Sequence, residues 1–285
     1  MLTLFALPKP FKGIYRSIQE NAIQSWLQLD PAPEIFLFGD EEGTKDIAQK
    51  YNILYFPNIK RNSAGTPFVN DIFSQAAANS SHRINCYVNS DIILEPSLVS
   101  ILNKSNHQFP RCLQIAQRWD ITFTKRPDFN DSNWYVNLVK KVKTSGLLSD
   151  KTALDIFVYP KDLYKEMPPF TIGWPGGKYD NWIIWYARKK GLPVIDFTDA
   201  SMIIHQNHPE NPRNKTDGKM AEHIINLKLA GGFGHCYDIE DASHRMTEQF
   251  ELVRNSRPKG FIWQYLKRIL QSIIDPLRYK IFYRV

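Results

Sequence analysis

Ile84-Asn85-Cys86-Tyr87-Val88-Asn89-Ser90-Asp91 sets the fold. Residues 84–88 form a short apolar run of the kind that fills a buried strand. The run gives way at once to a small polar cluster with one carboxylate at its tip. On either side, apolar runs alternate with stretches of helical periodicity. Upstream, Leu2–Leu7, Glu34–Phe38 and Ile53–Phe56 read as strands, and Ile14–Leu29, Thr44–Tyr51 and Asp71–Ala78 as helices, with Thr44 as a cap. Downstream, Pro96–Leu102 begins a helix, Cys112–Gln117 and Ile156–Tyr159 are strands, and Asn181–Lys190 is helical. Val194–Phe197 and Met202–Ile204 complete the series as short strands. This alternation predicts an α/β, Rossmann-like fold with a mostly parallel sheet flanked by helices. Ligands of such sheets lie at the C-terminal ends of the strands, where Asn89, Ser90 and Asp91 fall.

The chain has 285 residues, 43% of them hydrophobic, 13% aromatic and 23% charged, which excludes disorder over most of its length. No apolar stretch is long enough to span a membrane. MLTLFALPKPFK lacks a basic leader and a small-residue cleavage site, so it reads as a first strand and not as a secretory signal. Three cysteines, Cys86, Cys112 and Cys236, have no CxxC spacing, which argues against a disulfide framework or cysteine-rich zinc site and fits a reducing cytosol. The net charge of +7 resides entirely in residues 254–285, with eight basic residues against the single acid Asp275. The expected division is therefore a folded unit over 1–253 and a basic tail over 254–285.

Four polar stretches can carry chemistry. Asp91 stands where a carboxylate at a strand end reaches a divalent cation, although Asn-Ser-Asp is also ordinary turn chemistry. Asp180 follows the Gly/Pro stretch Gly173-Trp174-Pro175-Gly176-Gly177, and is either a helix cap or a general base in a cleft. His205 and His208 follow a short strand, and one ligand with one structural histidine is the expected division. Arg61–Pro67, containing Asn62, Gly65 and Thr66, is a polar loop before a helix that can hold a base and ribose or be a plain connection. GxxxxGK[ST], GxGxxG and GxSxG are all missing, which weighs against P-loop, dinucleotide-binding and α/β-hydrolase enzymes.

In this order the pieces resemble glycosyltransferases of the GT-A fold, in particular the bacterial family-2-like enzymes that use nucleoside-diphosphate sugars. The resemblance covers roughly residues 1–210. It implies that Asp91 is the last aspartate of the family's Asp-X-Asp motif, holding a divalent cation (Mn²⁺ or Mg²⁺) and the donor diphosphate. Asn89 stands where the first aspartate would be, which weakens the case for strict metal dependence. The resemblance also makes Asp180 the catalytic base and His205, ahead of His208, a metal ligand. Asn62, Gly65, Thr66, Asn89 and Arg118 would contact the donor, and Trp119, Trp174 and Trp182 would wall the sugar or acceptor. A nucleotidyltransferase is a weaker alternative, because two prolines interrupt the loop after the first strand. A non-catalytic nucleotide- or sugar-binding module at a membrane is the other.

In the tail, Ile262, Leu266, Ile269 and Ile273 share one helical face with basic and polar residues largely opposite. A basic amphipathic helix with aromatics suits the anionic inner face of a membrane, and equally a helix docked on its own core. No nucleic-acid-binding motif accompanies the basic residues, so nucleic acid is not an expected partner. A cytoplasmic enzyme at the membrane edge would suit a glycan or lipid-linked acceptor.

Overall fold

The computed structural model describes residues 2–123, 126–172, 178–209, 217–255, 266, 268–270, 273 and 274. In chain order the elements are β1 (Leu2–Ala6), α1 (Gly13–Trp26), β2 (Glu34–Phe38), α2 (Thr44–Tyr51), β3 (Leu54–Phe56), α3 (Val69–Asn79) and β4 (Ile84–Val88). They continue with β5 (Ile92–Ile93), α4 (Leu98–Gln108), β6 (Leu113–Ile121), α5 (Trp134–Ser145), β7 (Leu147–Leu148) and β8 (Leu154–Pro160). The last are α6 (Tyr179–Lys189), β9 (Val194–Asp196), β10 (Ile203–Gln206), α7 (Asp217–Ala230), β11 (His244–Met246) and β12 (Leu252–Arg254).

The sheet runs β12-β11-β9-β6-β8-β4-β1-β2-β3, with β10 beside β6 and β5 beside β10. It is mixed and mostly parallel, flanked by helices. β8 runs antiparallel to both of its neighbours, β4 and β6. That reversal leaves the start of β8 at the same edge as the C-terminal ends of β4 and β6.

Both faces of the central strands are buried, so their sequences are apolar at successive positions. Leu4, Leu37, Cys86 and Val158 face an aliphatic layer built with α1, α2 and α4. The alternate residues Phe5, Phe36, Phe38, Tyr87, Phe157 and Tyr159 face an aromatic layer with α3 and α6. There Phe5 meets Phe73 and Tyr87 at ring separations of 5.3 and 5.4 Å.

One expectation is corrected: Thr44 does not cap α2, because Gly43 occupies that position at φ +85° and Thr44 is the buried first helical residue. Helices α5 and α7 and strands β5, β7, β11 and β12 were not expected, and the strands among them are too short to show a period. β12 pairs with β11 through Arg254, the first residue of the expected tail.

Candidate functional site

Five strands bring polar residues to one edge of the sheet. β1, β4, β6 and β10 end there, and antiparallel β8 begins there. Lys9 follows β1, Asn89, Ser90 and Asp91 follow β4, and Arg118 and Asp120 lie near the end of β6. Asp155 is the second residue of β8, and His205 lies in β10 directly opposite Asp120, with His208 just beyond.

Asp91 is 7% exposed and is the centre of the cluster. Its Oδ2 lies 3.2 Å from His208 Nε2, 3.9 Å from His205 Nε2 and 3.7 Å from Lys9 Nζ. Its Oδ1 is buried without a hydrogen-bond partner. Burial opposes ionisation here, but the His208 ring and the charge of Lys9 outweigh it and hold the carboxyl at about 2. Gln206, fully buried, fixes the main chain: its backbone N–H and its Nε2 donate to the Asp91 carbonyl at 3.3 and 3.0 Å. Gln19 does the same for the neighbouring turn, accepting from Ser90 Oγ and from the Lys9 N–H, each at 2.7 Å.

His205 Nδ1 lies 2.8 Å from Asp120 Oδ1, close but not aligned as a hydrogen bond. Burial pushes the His205 imidazole below its ordinary value, so the ring is neutral near pH 7. Asp91, His205 and His208 each offer one ligand atom, and the three atoms lie within 4.8 Å of one another. An ionised carboxylate with an unpartnered oxygen and two imidazoles is a donor set that fits a divalent transition metal. The expected division into one ligand and one structural histidine is thus replaced by two rings facing one carboxylate, with His208 the nearer.

Beside this group, Arg118 is ion-paired with Asp155 and lies 2.9 Å from Asp120. Asn89 Nδ2 donates to Asp155 Oδ1 at 2.6 Å. The residue standing where an aspartate was expected therefore faces β8. Asp180 is the second residue of α6, and its Oδ1 accepts the Asn181 N–H at 2.9 Å. Burial pushes its carboxyl above the ordinary range, with Lys178 opposing and Asp155 adding to the rise. Beneath them the buried Tyr87 phenol is raised by burial and feels the charges of Asp155, Asp91 and Asp180.

Other expected residues are placed differently. Asn62 Nδ2 and Thr66 Oγ1 both donate to Glu222 of α7, at 2.8 and 2.6 Å, and Asn62 Oδ1 closes its own loop by accepting from Thr66 N–H. Gly65, at φ +80°, has open space where a Cβ would stand. Trp182 is a correction: it is 4% exposed and packed between Phe170 and Tyr186, so it offers no ring face to a sugar. Trp119 is partly buried against a small apolar cluster with Ile204 and Trp134. Trp174 lies outside the described residues. Lys9 and Asp155 were not expected as site residues, whereas Asp120 follows Arg118 and Trp119 in a stretch the resemblance places at sugar contacts. A cavity of about 1090 Å³, lined in part by Arg188, Pro193, Tyr237 and His244, lies at the opposite edge of the sheet, where β9 and β11 begin, and shares no residue with this cluster.

No family model matches the sequence, and no curated protein matches it. Among solved structures, Staphylococcus aureus TarS 1–349 in complex with UDP-GlcNAc superposes with a TM-score of 0.53 and 9% identity, covering 80% of this chain and 66% of that one. The UDP complex gives 0.51 and 10% identity, covering 80% and 63%. The chain thus spans just under two thirds of either structure and shares the fold of these GT-A-type nucleotide-sugar glycosyltransferases.

The Asp91 carboxyl sits near 2 in the folded protein against roughly 3.9 when unfolded. Its ionisation therefore contributes stability that is complete above about pH 4 and is lost as the pH falls toward 2, on the order of 2 kcal/mol in all. Urea unfolding of wild type and Asp91→Asn at pH 5 and pH 2.5 should show the gap between them shrinking at the lower pH. A gap independent of pH contradicts this assignment of charge.

Proposed function

We propose that this chain is a glycosyltransferase that moves a sugar from a nucleoside-diphosphate sugar to a hydroxyl acceptor. The observation that carries the reading is the grouping of Asp91, His205 and His208 at the C-terminal strand edge of a GT-A fold. UDP-GlcNAc, bound in one TarS structure, is the first donor to consider, and UDP, bound in another, the first nucleotide.

Sugar transfer needs a charge clamp for the departing diphosphate, a base for the acceptor hydroxyl, and exclusion of water. Asp91, His205 and His208 would hold a divalent cation, Mn²⁺ or Mg²⁺, which when bound supplies charge neutralisation at the diphosphate. Asp180 accepts the proton of the acceptor hydroxyl; its burial raises its basicity toward that of an effective base. Arg118, oriented by Asp155, adds positive charge on the donor side. In the Asn62–Thr66 loop, both side chains are engaged by Glu222, so donor contact there runs through backbone groups and the open side of Gly65. Trp119 and Trp174 are the remaining ring candidates for the sugar or acceptor.

We place the enzyme at the inner face of a membrane, acting in bacterial surface-polysaccharide or glycolipid assembly on a glycan or lipid-linked acceptor, with 1–253 the transferase unit and 254–285 the membrane-facing tail. No helix among the described residues is long and apolar enough to cross a membrane. The support is in the tail. Leu266, Leu270, Ile273 and Ile274 are helical in conformation and exposed, and their sequence spacing is that of one helical face. Arg268, on the other side, is ion-paired with Asp238 and Asp241 at 2.9 and 2.8 Å. The expected apolar face is shifted by this anchoring: Ile269 is partly buried, Leu270 and Ile274 are exposed, and Ile262 lies outside the described residues. An apolar strip facing away from the body, within a segment of eight basic residues and one acid, suits an anionic bilayer.

With a donor that wild type consumes, Asp180→Ala should lower transfer by about a hundredfold or more while nucleotide-dependent thermal stabilisation is kept. Undiminished turnover would remove Asp180 as the base; nucleotide binding without hydrolysis or transfer in wild type would favour the non-catalytic module. Separately, vesicles rich in phosphatidylglycerol should sediment wild type at low salt and release it when Leu270 and Ile273 are both changed to Glu. Equal sedimentation of the two would disprove the membrane contact.

A further inference from the structure

Lys9 is the one cationic side chain within 4 Å of Asp91 among the described residues, apart from the two histidines. It is not there by chance of a flexible side chain. Gln19, 1% exposed, accepts from the Lys9 N–H at 2.7 Å, donates to its carbonyl at 2.9 Å, and accepts from Ser90 Oγ at 2.7 Å. One buried amide therefore ties the backbone after β1 to the turn that carries Asp91. Beyond the backbone, the ammonium lies 4.9 Å from the centre of the Tyr15 ring. Tyr15 is itself held by its hydroxyl donating to the Pro209 carbonyl at 3.0 Å, and its ring meets His208 at 5.1 Å.

The histidine geometry defines what the ammonium does. His208 Nδ1 is 3.0 Å from the Pro209 carbonyl, which only accepts, so the proton is on Nδ1. His208 Nε2 faces both Asp91 Oδ2 and Lys9 Nζ at 3.2 Å. Lys9 Nζ is 3.7 Å from the same Oδ2, so one ammonium sits beside two of the atoms that would ligate a metal.

We infer that Lys9 and a divalent cation are alternative occupants of one position: the Lys9 ammonium is the resident cation of the Asp91 site, and a metal enters by displacing it. The Lys9 side chain is 43% exposed, so it has solvent to swing into. The displaced ammonium stays tethered by Gln19 at the rim, where it meets an incoming diphosphate. This rests on the nucleotide-sugar reading only for the diphosphate; the exchange of Lys9 for metal does not depend on it.

The test is Mn²⁺ binding to the full chain without nucleotide, followed by electron paramagnetic resonance of free Mn²⁺. Lys9→Met should bind Mn²⁺ about tenfold or more tightly than wild type, because a competitor filling the site most of the time lowers apparent affinity in proportion. Lys9→Arg, which keeps the charge, should stay near wild type. Lys9→Met with Asp91→Asn should lose the gain, which ties it to this site. Equal or weaker Mn²⁺ binding by Lys9→Met overturns the inference, as does the same gain in Lys9→Arg. A second arm measures UDP binding by calorimetry at saturating Mn²⁺, where the ammonium is displaced. Wild type should bind and Lys9→Met should bind at least about tenfold more weakly; equal binding by the two overturns the role at the diphosphate. If wild type binds no nucleotide with or without Mn²⁺ while Lys9→Met still gains Mn²⁺ affinity, the exchange stands and the glycosyltransferase reading falls.

Discussion

A buried carboxylate must be compensated, and at Asp91 that requirement organises the edge of the sheet. An ionised carboxylate taken from water without partners costs far more than a domain's margin of stability. Here the compensation comes from three side chains on two chain segments that meet only in the fold: Lys9 after β1, and His205 in β10 with His208 just beyond it. None of these side chains is held by chance. Gln206 pins the Asp91 carbonyl from β10, and Gln19 pins the Lys9 backbone from α1. The second oxygen, Oδ1, is buried and unpartnered, an expensive arrangement that marks a place for a ligand.

The sheet beneath supplies the rigidity such a group needs. Its two buried faces are sorted by chemistry, aliphatic toward α1 and α4 and aromatic toward α3 and α6. Tyr87 joins the two levels. Its ring packs against Phe5, Phe73 and Tyr179 in the aromatic layer, and its hydroxyl feels Asp91, Asp155 and Asp180. The reversed strand β8 matters most to the local charge. By starting at the edge where its neighbours end, it brings Asp155 between Asn89 and Arg118. Side chains fixed on strand ends are held more firmly than side chains on loops.

Much of this was legible in the residues. Glu34–Phe38 and Ile84–Val88 are strands at the expected bounds, because an apolar run with a sharp polar end is unambiguous. Asp91, Asp180 and His205 stand out because a strand end or a helix start places them, and the structure brings Asp91 and His205 together at one edge. What was missed depends on pairing. Asp155 precedes an ordinary apolar run, and its importance arises only from the antiparallel direction of β8, which no local pattern encodes. Lys9 lies in Leu7-Pro8-Lys9-Pro10, where the prolines drew attention and the charge did not; a lone lysine after a first strand becomes informative once β1 is known to lie beside β4. Trp182 failed for the opposite reason. An aromatic beside a Gly/Pro stretch suggests a sugar wall, but its helical spacing from Tyr186 turns it into the core.

The most direct test of a sugar-nucleotide site centred on Asp91 is thermal stability against UDP, GDP, ADP and CMP, each with and without Mn²⁺ or Mg²⁺, in wild type and Asp91→Ala. A nucleotide at about a hundred times its Kd stabilises the native state by roughly 2.7 kcal/mol, a shift of several degrees for a chain of this size. One diphosphate should raise the melting temperature of wild type, more strongly with metal, and the rise should be lost in Asp91→Ala. No shift with any of the four nucleotides, or a shift that Asp91→Ala keeps in full, would contradict it.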